Sequence, residues 1–146
     1  MATRKEYRFH PLDLKRNKAI GVMLPLGGTP LFKLSYTTEE QAISNLKNLI
    51  LTRKGERPLQ PLFGSDVYSL LFENISENLN DELENSLRED IEFWLPYIIV
   101  DEVSVDTNED YNTVSISLKV RVTETGANTQ ITILVSEQGN ISIAWG

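Results

Sequence analysis

A chain of 146 residues, 40 % hydrophobic and 24 % charged, has the length of one compact domain and enough apolar content for a core. It has no cysteine and one histidine, His10, which excludes a disulfide framework, a thiolate nucleophile and a metal cluster of several imidazoles. The net charge of −7 argues against nucleic acid as a partner, and no apolar run approaches the roughly 20 residues needed for membrane insertion.

The polar N-terminus lacks the apolar stretch of a signal peptide, so assembly in a cytoplasm is expected. Residues 1–18 carry six basic and two acidic side chains, whereas residues 73–110 carry thirteen acidic ones and a single cation, Arg88. Such a split suits contact between chains, a positive arm meeting a negative face; the alternative is a solvated acidic helix beside a basic tail.

Residues 1–31 are expected to form an extended arm, because Pro11, Pro25, Pro30 and Gly27-Gly28 prevent a regular helix. Phe9, Leu12, Leu14, Ile20, Val22, Met23, Leu24 and Leu26 make it too apolar for a disordered tail. Residues 32–146 are expected to be a single domain. Residues 32–36 alternate apolar and polar as a short strand does. Thr38 and Gln41 have capping-box spacing and open a helix whose apolar face is Ala42, Ile43, Leu46, Leu49 and Ile50. Arg53 and Lys54 suit the negative end of its dipole, and Gly55 supplies a stop.

Residues 56–64 form an irregular link stiffened by Pro58 and Pro61, after which Asp66 caps a short helix through Val67, Leu70, Leu71 and Phe72. Leu79, Leu83, Leu87, Ile91, Trp94 and Leu95 then predict a longer helix with a narrow apolar stripe, ended by Pro96. From Tyr97 the period changes to two. Val103 and Val105, then Val114, Ile116, Leu118, Val120 and Val122, then Ile131, Ile133 and Val135, and last Ile141, Ile143 and Trp145 predict consecutive strands. Turns are expected at 108–110, 126–128 and 138–140. The fold class is α+β, helices packed on one side of an antiparallel β-meander.

Little in this order suggests catalysis. A Ser–His pair would have to use His10 in the arm, and GxGxxG, P-loop and calcium-loop motifs are absent, so no catalytic residue, cofactor or metal is expected. A glycosidase needs only two carboxylates; Glu56, Asp66 and Glu73, near Phe63, Tyr68 and Phe72, keep a peptidoglycan hydrolase as the alternative function. Glu56-Arg57 lies between a helix end and Pro58, where a bidentate Arg–carboxylate pairing would hold the link against the helices or another chain. The competing reading makes both residues solvated parts of a turn.

The run Leu51-Thr52-Arg53-Lys54-Gly55-Glu56-Arg57-Pro58, with Pro61-Leu62-Phe63-Gly64-Ser65-Asp66-Val67 and Leu71-Phe72-Glu73-Asn74, resembles the baseplate wedge, or sheath-initiator, family of contractile-tail phages. Relatives occur in type VI secretion baseplates and tail-like particles. The resemblance runs from about Tyr36 to Val122 and leaves the arm outside. It implies a structural protein of the virion's tail baseplate and no enzymatic activity, although some members carry a lysozyme label. Implied partners are larger wedge proteins, a second small wedge subunit and the tail sheath protein, in a six-fold hetero-oligomer assembled in the host cytoplasm. Glu56, Arg57 and Pro58, with Phe63 beside them, would make the wedge contact. The C-terminal strands, through Ile131, Ile133, Ile141, Ile143 and Trp145, would template the first sheath ring. The residues themselves point the same way: residues 127–146 lack the Lys and Pro that block sheet edges, which suits addition of a partner strand. The alternative is that the last strand is internal to the sheet.

Overall fold

The computed structural model describes residues 13–15, 17–24, 32–67, 69, 78–108, 113–126, 128–136 and 141–145. Two short strands, β1 (Gly21–Val22) and β2 (Leu34–Ser35), pair antiparallel and precede helix α1 (Thr38–Leu51). Helix α2 (Leu79–Trp94) follows, and then a meander of β3 (Ile98–Asn108), β4 (Thr113–Val122), β5 (Asn128–Ser136) and β6 (Ile141–Trp145). All neighbours in the four-stranded sheet are antiparallel, in the order β3-β4-β5-β6. The fold is α+β, as expected.

The core follows from the two periods. Ala42, Leu46, Leu49 and Ile50 of α1 meet Leu83, Leu87 and Ile91 of α2. Both pack on the sheet side carrying Ile98, Val100, Val103, Ile116, Leu118, Val120, Val122, Ile131 and Ile133. Each such side chain taken from water contributes about 1.5–3 kcal/mol before entropy is counted. Asn45 Nδ2 donates to the Tyr97 hydroxyl at 2.8 Å and Thr129 Oγ1 to Glu39 Oε1 at 3.2 Å, which tie α1 to the residue before β3 and to β5.

Several local expectations are corrected. The capping box of α1 is built one residue earlier: Thr37 accepts from Glu40 N, and the Glu40 carboxylate accepts from Thr37 N. Both pairs have the required spacing, and the carboxylate is the stronger acceptor for an orphan N–H. The helix ends at Leu51 rather than at Gly55, because Thr52 turns to extended backbone and donates its N–H to Asn48 O. Arg53 and Lys54 therefore lie beyond the helix. In β2 the buried residue is polar Ser35, whose hydroxyl donates to Gln41 Oε1 at 2.6 Å, while Phe32, Leu34 and Tyr36 are exposed.

The β1–β2 pairing joins chain from either side of the expected boundary at 31/32. Val67 and Ser69 are helical, but Leu70, Leu71 and Phe72 of the expected short helix lie outside the described residues, as do Phe9 and His10 of the arm and the turn at 138–140. Among the described residues no helix is long and apolar enough to cross a membrane, and no group of three or more acidic or histidine side chains is arranged to hold a metal ion.

Candidate functional site

The link after α1 is a closed loop. Ser65 N donates to Thr52 O at 2.9 Å and the Ser65 hydroxyl to Ile50 O at 2.8 Å, so the chain returns to the end of the helix it left. Gly64 makes that return possible. Its φ is +130°, and a Cβ there would lie 2.5 Å from Thr52 O, so a side chain would be strained and would also collide with backbone. Inside the loop, Gly55 N donates to Pro61 O at 2.7 Å and Gln60 N to Arg57 O at 3.1 Å. The loop is thus internally bonded, as an Ω-loop is, and can present side chains in fixed positions.

Glu56 and Arg57 are ordered, though by contacts other than the expected ion pair. Glu56 Oε2 accepts from Arg53 N at 3.2 Å. The guanidinium of Arg57 donates to Asn48 Oδ1 at 3.1 Å and stacks 3.9 Å above the ring of Phe63. No salt bridge among the described residues involves either one. An amide acceptor and a ring face suit a planar cation that is only part-buried, since neither removes a carboxylate from water. Phe63 meets Trp94 edge to face at 5.2 Å, and Trp94 meets Phe93 likewise at 5.0 Å. The result is a chain of stacked groups from the loop to the end of α2. Around it, Leu59 is 96 % exposed, Leu62 74 % and Phe93 75 %. Asn48 is the residue that the sequence did not single out; the only signal for it is its place on α1, one turn before the loop.

A second cluster joins the loop to α2. Lys54 Nζ is ion-paired with Asp66 Oδ2 and with Asp90 Oδ1, the latter at 2.8 Å. Burial opposes the charge on Lys54, but the hydrogen bonds it donates to Asp66 and Asp90, with their charges, outweigh that and raise the pKa. Burial also raises the pKa of Asp90, against the pull of Lys54, and its Oδ2 has no hydrogen-bond partner. A cavity of about 550 Å³ opens here, lined by Asp66, Asp90, Glu82 and Glu89. A raised carboxyl pKa in a cavity is what a general acid needs. Here, however, one ammonium group bridges Asp66 and Asp90, so the space between the two carboxyls is filled. Of the carboxylates expected for a hydrolase, Glu56 is held by Arg53 N, Asp66 by Lys54, and Glu73 lies outside the described residues.

The strand residues separate into two groups. Ile131 and Ile133 are fully buried and belong to β5, which has β4 and β6 on its two sides, so neither side chain nor backbone is open to a sheath chain. That corrects their expected contact role to one in the core. Ile141, Ile143 and Trp145 belong to β6, set opposite Val135, Ile133 and Ile131. Among the described residues β6 has no strand on its outer side.

A family model described as baseplate wedge protein gp25 matches residues 36–127. The baseplate wedge protein gp25 of Enterobacteria phage T4 is 31 % identical over 78 residues, which are 53 % of this chain and 58 % of that protein. The chain therefore matches somewhat over half the length of this relative. Among solved structures, a putative tail lysozyme from Geobacter sulfurreducens superposes with a TM-score of 0.62 and 23 % identity, covering 68 % of this chain and 91 % of its own. A chain of the anti-feeding prophage baseplate gives 0.58 and 20 %, covering 68 % and 79 %. A chain of the post-contraction pyocin R2 baseplate gives 0.51 and 20 %, covering 56 % and 82 %. At these identities the likeness to solved structures is one of fold.

Proposed function

Because the chain belongs to the baseplate wedge protein gp25 family of contractile-tail systems, we propose that it is the joint between a baseplate wedge and the sheath above it. In this reading the loop of residues 52–66 and the end of α2 bind the larger wedge proteins, with a second small wedge subunit alongside. The outer strand β6 accepts an extended segment of the tail sheath protein and so templates the first ring.

One observation carries the wedge half: Arg57 is held in place by Asn48 and Phe63 while Leu59 and Leu62 beside it are left to water. Ordering a long side chain costs rotamer entropy, and large exposed apolar groups gain nothing in the free protein. Both features make sense if a partner covers them, since a pre-ordered Arg with apolar neighbours is the composition of an interface hot spot. Pro58 and Phe63 fix the loop and the stack on which Arg57 rests. The sheath half is supported by β6 lying at the sheet edge with no charged residue or proline in Ile141–Trp145.

The test is co-purification with the larger wedge protein of the same particle. Arg57→Ala and Leu59→Asp should each leave the far-ultraviolet circular dichroism unchanged and weaken the complex at least ~10-fold, the range for hot-spot truncation. An undiminished complex with both changes in one chain would remove the loop from the interface. The hydrolase reading has no comparable support: of its carboxylates, Asp66 is ion-paired with Lys54 and Glu56 accepts from Arg53 N.

A further inference from the structure

The two outer strands of the large sheet are built differently. β6 is five residues long and carries no charge; β3 is eleven residues long. A free edge of that length is the greater hazard, since a row of unpaired N–H and C=O groups is a template for any extended chain. Three features mark β3. The β3–β4 register slips between Val100 and Glu102, which breaks the flat ladder at Asp101. Asp101 and Glu102 are held at this point by Arg121 and Lys119 of β4, so charge is fixed at the slip. Finally, Arg88 of α2 donates from Nη1 to Val100 O at 2.7 Å, while its Nη2 donates to Glu84 Oε1 at 2.9 Å one turn back. The second bond aims the guanidinium, and the first takes the backbone acceptor beside the slip.

Arg88 is also the single cation in the acidic stretch 73–110, a placement that neither the core nor the wedge surface explains. We infer that Arg88 is an edge guard: it closes β3 to strand addition and so confines pairing with a partner chain to β6. This rests on the reading of β6 above and adds to it the reason why the sheet grows in one direction. An incoming strand on β3 would have to displace a charge-assisted hydrogen bond and leave Glu84 without its partner. At β6 the described chain places no such obstacle.

The experiment uses the full chain in four forms: unchanged, Arg88→Met, Ala144→Lys on β6, and the two together. Methionine keeps an unbranched apolar stem and removes the donors; lysine on an edge strand is a natural block. Light scattering is followed across a concentration series, with hydrogen exchange on β3. With β6 blocked and Arg88 present, the chain should stay at its monomer mass of 16.6 kDa. Adding Arg88→Met should move it toward twice that mass, with a fall of at least ~10-fold in the self-association Kd, and β3 amides should gain protection as concentration rises. A merely structural Arg88 would lower the melting temperature and leave the mass unchanged at every concentration, and that result would overturn the inference. Arg88→Lys, the milder change, gives a second reading of the same kind and should fall between the two. Binding of the sheath protein to Ala144→Lys alone is read separately: if it is undiminished, the β6 reading fails whatever Arg88 does.

Discussion

Lys47 is a buried lysine. On α1 it follows Leu46 and lies away from the apolar stripe, where a lysine is normally solvated, yet it is 1 % exposed. The cover is the segment around Leu24, whose carbonyl accepts from Lys47 Nζ at 3.2 Å. Burial lowers its pKa from the ordinary 10.5 to about 8. Between those values the unfolded chain holds the proton and the folded chain does not, so stability rises as pH goes up through about 8 to 10.5, and below pH 8 the folded state bears the full cost of the buried charge. Urea midpoints at the two ends of that window should differ in the native chain and converge in Lys47→Met; a native chain with equal midpoints would contradict it. Gly64 was legible only as the last residue of a link stiffened by two prolines. Its positive φ and the nearby Thr52 carbonyl make Gly64→Ala costly, at least ~2 kcal/mol by the usual penalty for a strained backbone plus a clash. A drop in thermal midpoint well beyond that of a Gly55→Ala control, where nothing lies within 4 Å, is the expected result.

At the scale of elements, periodicity carried most of the fold. The unbroken alternation of Ile116, Leu118, Val120 and Val122 placed all four inside, and Leu83, Leu87 and Ile91 lie on the buried stripe that their spacing predicts. Ends of elements were less legible, because they turn on single hydrogen bonds. Thr37 with Glu40 and Thr38 with Gln41 offer the same motif one residue apart, and only the acceptor strength of Glu40 selects the first. Replacing Thr37 by Ala should therefore cost about 1 kcal/mol, the usual worth of a helix N-cap, whereas Gln41→Ala should act through lost contacts to Ser35 and Asn45. Chemical denaturation of both variants, with hydrogen exchange at the start of α1, separates the two: fraying should follow the Thr37 change alone. In the candidate site, sequence spacing marked Glu56, Arg57 and Phe63 but could not supply their partners. Asn48 is nine residues before Arg57, Trp94 is on another helix, and no local pattern records such contacts.

The molecule as a whole consists of a body, of which the family model matches residues 36–127, and a strap that precedes it. The family match begins at residue 36, while the described residues before it run across α1. Asp13 Oδ1 accepts from both Thr38 N and Thr38 Oγ1 at 2.8 Å, Ser44 Oγ accepts from Leu24 N at 3.4 Å, and Gly21 lies against the end of the Gln41 side chain, which a Cβ there would displace. The three hydrogen bonds are each worth about 0.5–1.5 kcal/mol, so at a pH above the Lys47 window removing residues 1–35 should cost on the order of 2–4 kcal/mol. The body should survive that loss, because the Thr37–Glu40 cap, the helix–sheet core and the loop of residues 52–66 are all retained. Three readouts then bear on one deletion. Circular dichroism should remain that of a folded α+β chain with a lower melting temperature. The stability rise between about pH 8 and 10.5 should disappear, since Lys47 regains water. Binding to the larger wedge protein should persist within about twofold, because the proposed contact lies in a loop at the opposite end of α1 from the Asp13 cap. Loss of that complex in a chain that is still folded would instead put the strap inside the interface, and the buried polar row of Ser44 and Lys47 would then be a surface that the strap protects until assembly.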